Sequence, residues 1–87
     1  MQFVKGMIVR SKAGHDKGKF FVAVRIENGF AYLSDAKGRS LDNPKKKNLI
    51  HLAPTKTVLD TDNADISVIR SSLAEFNSKI TSPKEVL

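Results

Sequence analysis

Residues 19–27 read Lys-Phe-Phe-Val-Ala-Val-Arg-Ile-Glu and constrain the chain more than any other stretch. They put Phe20, Val22, Val24 and Ile26 on one side of an extended segment and Lys19, Phe21, Ala23, Arg25 and Glu27 on the other. That is the period of a strand with one face in a core. Asn28-Gly29 follows at once, and both residues tolerate the positive φ of a type I′ turn. The strand therefore returns as a hairpin, and its partner is expected over Phe30 to Asp35.

The flanking sequence repeats this short rhythm. In Met7 to Ser11, Met7 and Val9 alternate with Ile8 and Arg10, and the turn that follows contains Gly14 and Gly18. Beyond a turn at Asp35-Ala36-Lys37-Gly38, an extended piece around Arg39 to Leu41 is broken by Asn43-Pro44, and a final strand is expected from Lys47 to Leu52. Short strands spaced roughly 8 to 12 residues apart argue for a small barrel or sandwich. The first unit is residues 1–53, with the barrel proper at 4–53, and residues 54–62 are a linker.

Further on the period changes. Ile66, Ile69, Leu73, Phe76 and Ile80 recur at helical steps, which predicts an amphipathic helix from about 63 to 79 within a unit 63–80, capped by Asp62 or Asn63. Its stripe is too short for an independent coiled coil, so the helix is expected to pack on the barrel, with docking on a partner as the alternative. Ser82-Pro83 stops it, and 81–87 is expected to be a flexible tail. The expected class is mainly β: a five-stranded barrel followed by one C-terminal amphipathic α-helix.

The longest apolar run is five residues, Phe20 to Val24, too short for a membrane span or a cleavable leader, so the chain is expected to start at Met1 and to have no membrane partner. No cysteine is present, which removes disulfides and thiol chemistry and makes the cytoplasm the default location. His15 and His51 stand far apart, and no nucleophile elbow, metalloprotease helix or phosphate-loop motif occurs. The expectation is therefore no enzyme, no cofactor and no metal.

Charge says more. The formal net charge is +6, but residues 1–52 hold 11 Lys or Arg against 4 acids, a net of +7, and the remainder is near neutral. A basic segment beside a neutral one is the footprint of a polyanion binder, and nucleic acid is the commonest such partner. Two clusters carry the excess. The loop Ser11 to Lys19 gathers Lys12, His15, Lys17 and Lys19 around two glycines that let the backbone approach a ligand; Lys45, Lys46 and Lys47 follow Pro44. Solvated turn lysines and a charged edge strand that resists aggregation are the plain alternatives. Phe21 or Tyr32 can stack on an unpaired base, although so small a core is expected to need both rings.

Gly6-Met7-Ile8-Val9, then Gly14-x-Asp16-Lys17-Gly18, then Val22-x-Val24 resembles the KOW motif. There a strand, a glycine loop and a second strand form part of a small SH3-like barrel. The likeness extends over residues 4–53 to the KOW-type large-subunit ribosomal proteins of archaea and eukaryotes and to short bacterial KOW-domain RNA-binding proteins. Gly18 corresponds to the defining glycine. Asn43 to Leu52 is similar to their basic last strand, and Ile66 to Phe76 to the helix that follows the barrel in the bacterial proteins. One departure is that Asp35 is followed by Ala36, where those relatives have glycine. The resemblance implies a ribosome-associated RNA-binding module with ribosomal RNA and ribosomal proteins as partners, and the chain is expected to be a monomer. A protein-binding adaptor of the transcription or translation machinery is the alternative. The expected RNA surface is Arg10, Lys12, His15, Lys17, Gly18, Lys19, Arg39, Lys45, Lys46 and Lys47, acting mainly on phosphates.

Overall fold

The computed structural model describes residues 3–36 and 44–81, the last three by backbone only. The expected extended piece at Arg39 to Leu41 and the tail beyond Thr81 lie outside the described residues. Five antiparallel strands form one sheet: β1 (Met7–Ser11), β2 (Phe20–Glu27), β3 (Phe30–Ser34), β4 (Lys45–Asn48) and β5 (Leu52–Val58), in the order β4-β3-β2-β1-β5. One helix, α1 (Ile66–Thr81), follows. None of the described helical segments is long and apolar enough to cross a membrane.

The β2–β3 hairpin turns on Asn28 and Gly29, at φ of 51° and 84°, as a type I′ turn requires. At the other end of the sheet, β4 and β5 are opposite edges, yet only Leu49–His51, a 3-10 turn, separates them in sequence. Edges of a flat five-stranded sheet lie about 19 Å apart, whereas three 3-10 residues rise about 6 Å. The sheet must therefore curl strongly. It remains open, because β4 pairs only with β3 and β5 only with β1. The expected closed barrel is corrected to a curled open sheet.

The single strand expected over Lys47 to Leu52 is also corrected. Asn48 caps the 3-10 turn by accepting from the Ile50 N–H at 3.0 Å, which breaks the extended run and starts β5 at Leu52. Residues expected as linker thus continue as a strand to Val58. Pro54 lies opposite Val9, and an edge strand tolerates proline because one side of it needs no ladder donor.

Each face of the sheet carries a buried cluster. Inside the curl lie Met7, Val9, Phe21, Ala23, Ala31, Leu33 and Leu52; on the convex side Ile8, Val22 and Ala36 meet Ile69 and Leu73 of α1, with Phe20, Val24, Leu59 and Phe76 around them. Phe20, Val22 and Val24 thus face the helix, and Phe21 lies inside the curl. A register shift between Ala23 and Arg25 makes Val24 an extra residue, so Arg25 opposes Tyr32 and Ile26 opposes Ala31. A bulge inverts the alternation beyond it, and Ile26 packs against the inner cluster.

The helix begins at Ile66 rather than near 63, and the Asp65 carbonyl accepts from the Val68 and Ile69 N–H groups. Asp60 instead organises the preceding turn, its carboxylate accepting from the Asp62 and Asn63 N–H groups. Those bonds, with the Asn63 side chain first among them, hold its carboxyl below the usual range. Ile69 and Leu73 are buried, but Ile66 at the first turn is exposed. Asn77 fixes the far end by accepting from the Phe20 N–H at 2.9 Å, and the Phe20 and Phe76 rings lie 5.0 Å apart.

Ala36 has φ of 62° and is 2 % exposed. An alanine tolerates the left-handed region at a cost of about 1–2 kcal/mol, and here its methyl group fills the cluster under α1. Its N–H donates to Ser34 Oγ at 2.9 Å and its carbonyl accepts from Arg70 Nε at 3.0 Å.

Candidate functional site

The loop between β1 and β2 is tied at its base by the Ser11 N–H to the Lys19 carbonyl (2.9 Å) and the Gly18 N–H to the Ser11 carbonyl (2.8 Å). Within it the Lys17 N–H reaches the Gly14 carbonyl and the Lys19 N–H the Asp16 carbonyl. Gly14 and Gly18 sit at φ of 86° and 91°, which side chains strongly disfavour. Space is not the reason for glycine at 18, since a Cβ there would meet nothing within 4 Å. The N–H groups of 17, 18 and 19 are all used inside the loop, so these three do not cradle a ligand; what the loop presents is side chains.

Asp16 organises this loop. It is 8 % exposed. Its Oδ1 accepts from Lys47 Nζ at 2.8 Å and lies 2.8 Å from Ser11 Oγ, and its Oδ2 accepts from Lys45 Nζ at 3.0 Å. Lys47 Nζ also donates to the Ala13 carbonyl at 3.0 Å. Burial opposes ionisation of Asp16, but hydrogen bonds from Lys47, Lys45 and Ser11, with the Lys45 charge, outweigh it together and hold the carboxyl well below the usual carboxylate range. The loop is thereby clamped to β4 across about 30 residues of sequence.

This sorts the expected surface. On β4, Lys45 and Lys47 lie opposite Leu33 and Ala31, whereas Lys46 lies opposite Tyr32 and points to the other side. The Lys47 side chain is only 12 % exposed and its charge answers Asp16; Lys45 is half-exposed. Arg10, Lys12, His15, Lys17 and Lys19 are exposed and make no ion pair among the described residues. The Lys12 N–H bonds the His51 carbonyl at 2.8 Å, which sets the loop beside the 3-10 turn. Arg39 lies outside the described residues. Phe21, 9 % exposed, is part of the inner core and offers no stacking face.

Lys17, Lys19 and Lys45 also line a groove of about 560 Å³, whose other wall is α1 with Arg70 and whose apolar lining includes Phe21, Leu33 and Leu73. Sequence reasoning missed Arg70 and Asp16. Asp16 is the lone acid between residues 10 and 25, and a single acid in a basic loop is the signal that was available for it. Nothing in the sequence places Arg70 near the loop. Among the described residues no group of three or more His, Cys, Asp or Glu lies together to hold a metal ion. Searches of protein-family models and of curated proteins find no match to the chain.

Proposed function

We propose that the chain is an RNA-binding module that holds structured RNA by its phosphates, acting in the cytoplasm at the ribosome. The observation that carries this reading is the clamped loop: Asp16 is satisfied by Lys45 and Lys47, which leaves Lys12, Lys17 and Lys19 exposed and, among the described residues, without an acid paired to them. A rigid loop that presents uncompensated ammonium groups draws counterion-coated polyanions and releases their counterions on binding. The groove beside the loop is lined by Lys17, Lys19, Lys45 and Arg70 against Asp16 and Asp35, so its formal charge stays positive. Kinship with KOW proteins is supported by the glycine loop joining the first two strands of a five-stranded antiparallel sheet and by the helix after it.

Titration of a structured RNA at several salt concentrations tests the reading. With about six phosphates contacted, log affinity falls against log salt with a slope of about −4 on single strands, and more steeply on duplex. Changing Lys12, Lys17 and Lys19 together to Ala flattens that slope by about 2 and leaves the fold intact, since none of the three pairs with an acid among the described residues. Affinity indifferent both to salt and to this triple change would transfer the surface to the protein-binding adaptor reading.

A further inference from the structure

The outer side of β3 and β4, away from the clamped loop, carries a second arrangement that phosphate binding does not use. Arg25 Cζ stands 4.2 Å from the centre of the Tyr32 ring and Lys46 Nζ 4.4 Å from that of Phe30. These groups interleave by register: Arg25 opposes Tyr32, Tyr32 opposes Lys46, and Glu27 opposes Phe30. We propose that this face is a stacking platform for unpaired RNA bases. The proposal rests on the RNA reading and adds to it that the bound RNA contributes a single-stranded stretch.

Three observations favour bases over phosphates. First, the Arg25 side chain that covers Tyr32 is 61 % exposed, so a base can reach it from solvent, and guanidinium planes stack on bases as aromatic rings do. Second, Arg25 Nε lies 3.4 Å from Glu27 Oε1, half-exposed on the same face. That carboxylate repels a phosphate or an acidic peptide but accepts from the N–H donors on base edges. Third, a cleft of about 680 Å³ opens beside Arg25 and Tyr32, bounded by Val24, Pro44 and the Lys5–Asp62 ion pair, a volume in the range of small-ligand sites. Phe30 and Tyr32 are two residues apart on one strand, about 6.8 Å, or twice the 3.4 Å rise of a stacked strand. Two neighbouring bases fit there once they are unstacked from each other.

The test compares an eight-nucleotide oligoadenylate with an abasic phosphodiester of the same length, on the wild type, Arg25→Lys and Tyr32→Leu. The wild type is expected to prefer the base-bearing chain by about 5- to 100-fold. Arg25→Lys keeps the charge and loses the plane, so it should lose most of that preference and still bind the abasic chain as before. Tyr32→Leu should do the same. Tyr32 is the chain's single tyrosine and there is no tryptophan, so intrinsic fluorescence should change with oligoadenylate and not with the abasic chain. Should Tyr32→Leu fail to fold, the exposed Arg25→Lys still decides. Equal affinity of the wild type for both chains, or a preference that survives in Arg25→Lys, would overturn the platform and leave salt-dependent RNA binding standing. Loss of binding to both chains and to structured RNA would remove the RNA reading itself, and the platform with it.

Discussion

Replacing Lys47 by Met probes the Asp16 cluster most directly, because Met keeps most of the aliphatic stem and removes the ammonium. Two charged nitrogens face one carboxylate that is 8 % exposed. Removing one partner of a fully buried pair costs about 3–5 kcal/mol. Here Lys45 remains at 3.0 Å from Oδ2, so the expected loss for Lys47→Met is about 2–3 kcal/mol. Lys45→Met removes a partner that is 47 % exposed, and solvent screening limits its cost to about 1 kcal/mol or less. Asp16→Asn costs most, about 3 kcal/mol or more, because the Lys47 ammonium, 12 % exposed, then has Lys45 beside it and no counter-charge. Urea unfolding followed by far-UV circular dichroism reads all three. With m of about 1–1.5 kcal/mol/M, the Lys47→Met midpoint falls by about 2 M. Equal and small losses, below about 0.5 kcal/mol for both lysines, would refute the clamp.

Acid resolves the same cluster by linkage. The folded carboxyl of Asp16 titrates below its unfolded value, so its contribution is present above about pH 4 and is lost as pH falls through the folded value. In Lys47→Met the folded value moves back up, and the stability gap to the wild type should narrow below about pH 4; a gap constant from pH 7 to pH 2 would contradict this. Leu73→Ala, at a site 2 % exposed against Ile8, Val22 and Ile69, should cost about 2–5 kcal/mol in the same unfolding assay, and a loss under 1 kcal/mol would mean that α1 does not share the core. Ala36→Val should cost at least about 2 kcal/mol, because a β-branched residue is forced to positive φ in a filled cluster. Ala36→Gly should stay within about 1 kcal/mol of the wild type, since relief of the backbone offsets the lost methyl contact.

What the sequence determined by itself is local. Met7 to Ser11, the β2–β3 hairpin and its two-residue turn, and the Ile69 and Leu73 stripe depend on φ preferences and periodicity within a few residues. The inversion at Val24 was not legible, because a bulge is defined by the partner strand: Ile26 joins the inner cluster only through its register with Ala31. Alternation marked two apolar faces on β2 without saying that both are covered, and the helix and the curl of the sheet decide that. Thr55 to Val58 carries no strong strand pattern, and it is a strand because β1 offers an unpaired edge, with the Thr55 hydroxyl donating to the Ile8 carbonyl at 2.6 Å. The three lysines of β4 are equivalent in composition and differ in the fold. Lys47 is matched to Asp16 over 31 residues of chain, Lys45 shares that acid at the groove, and Lys46 lies across the sheet on Phe30. A side chain's charge is written in the sequence, but the group that answers it is chosen by chain closure over distances that no local pattern encodes.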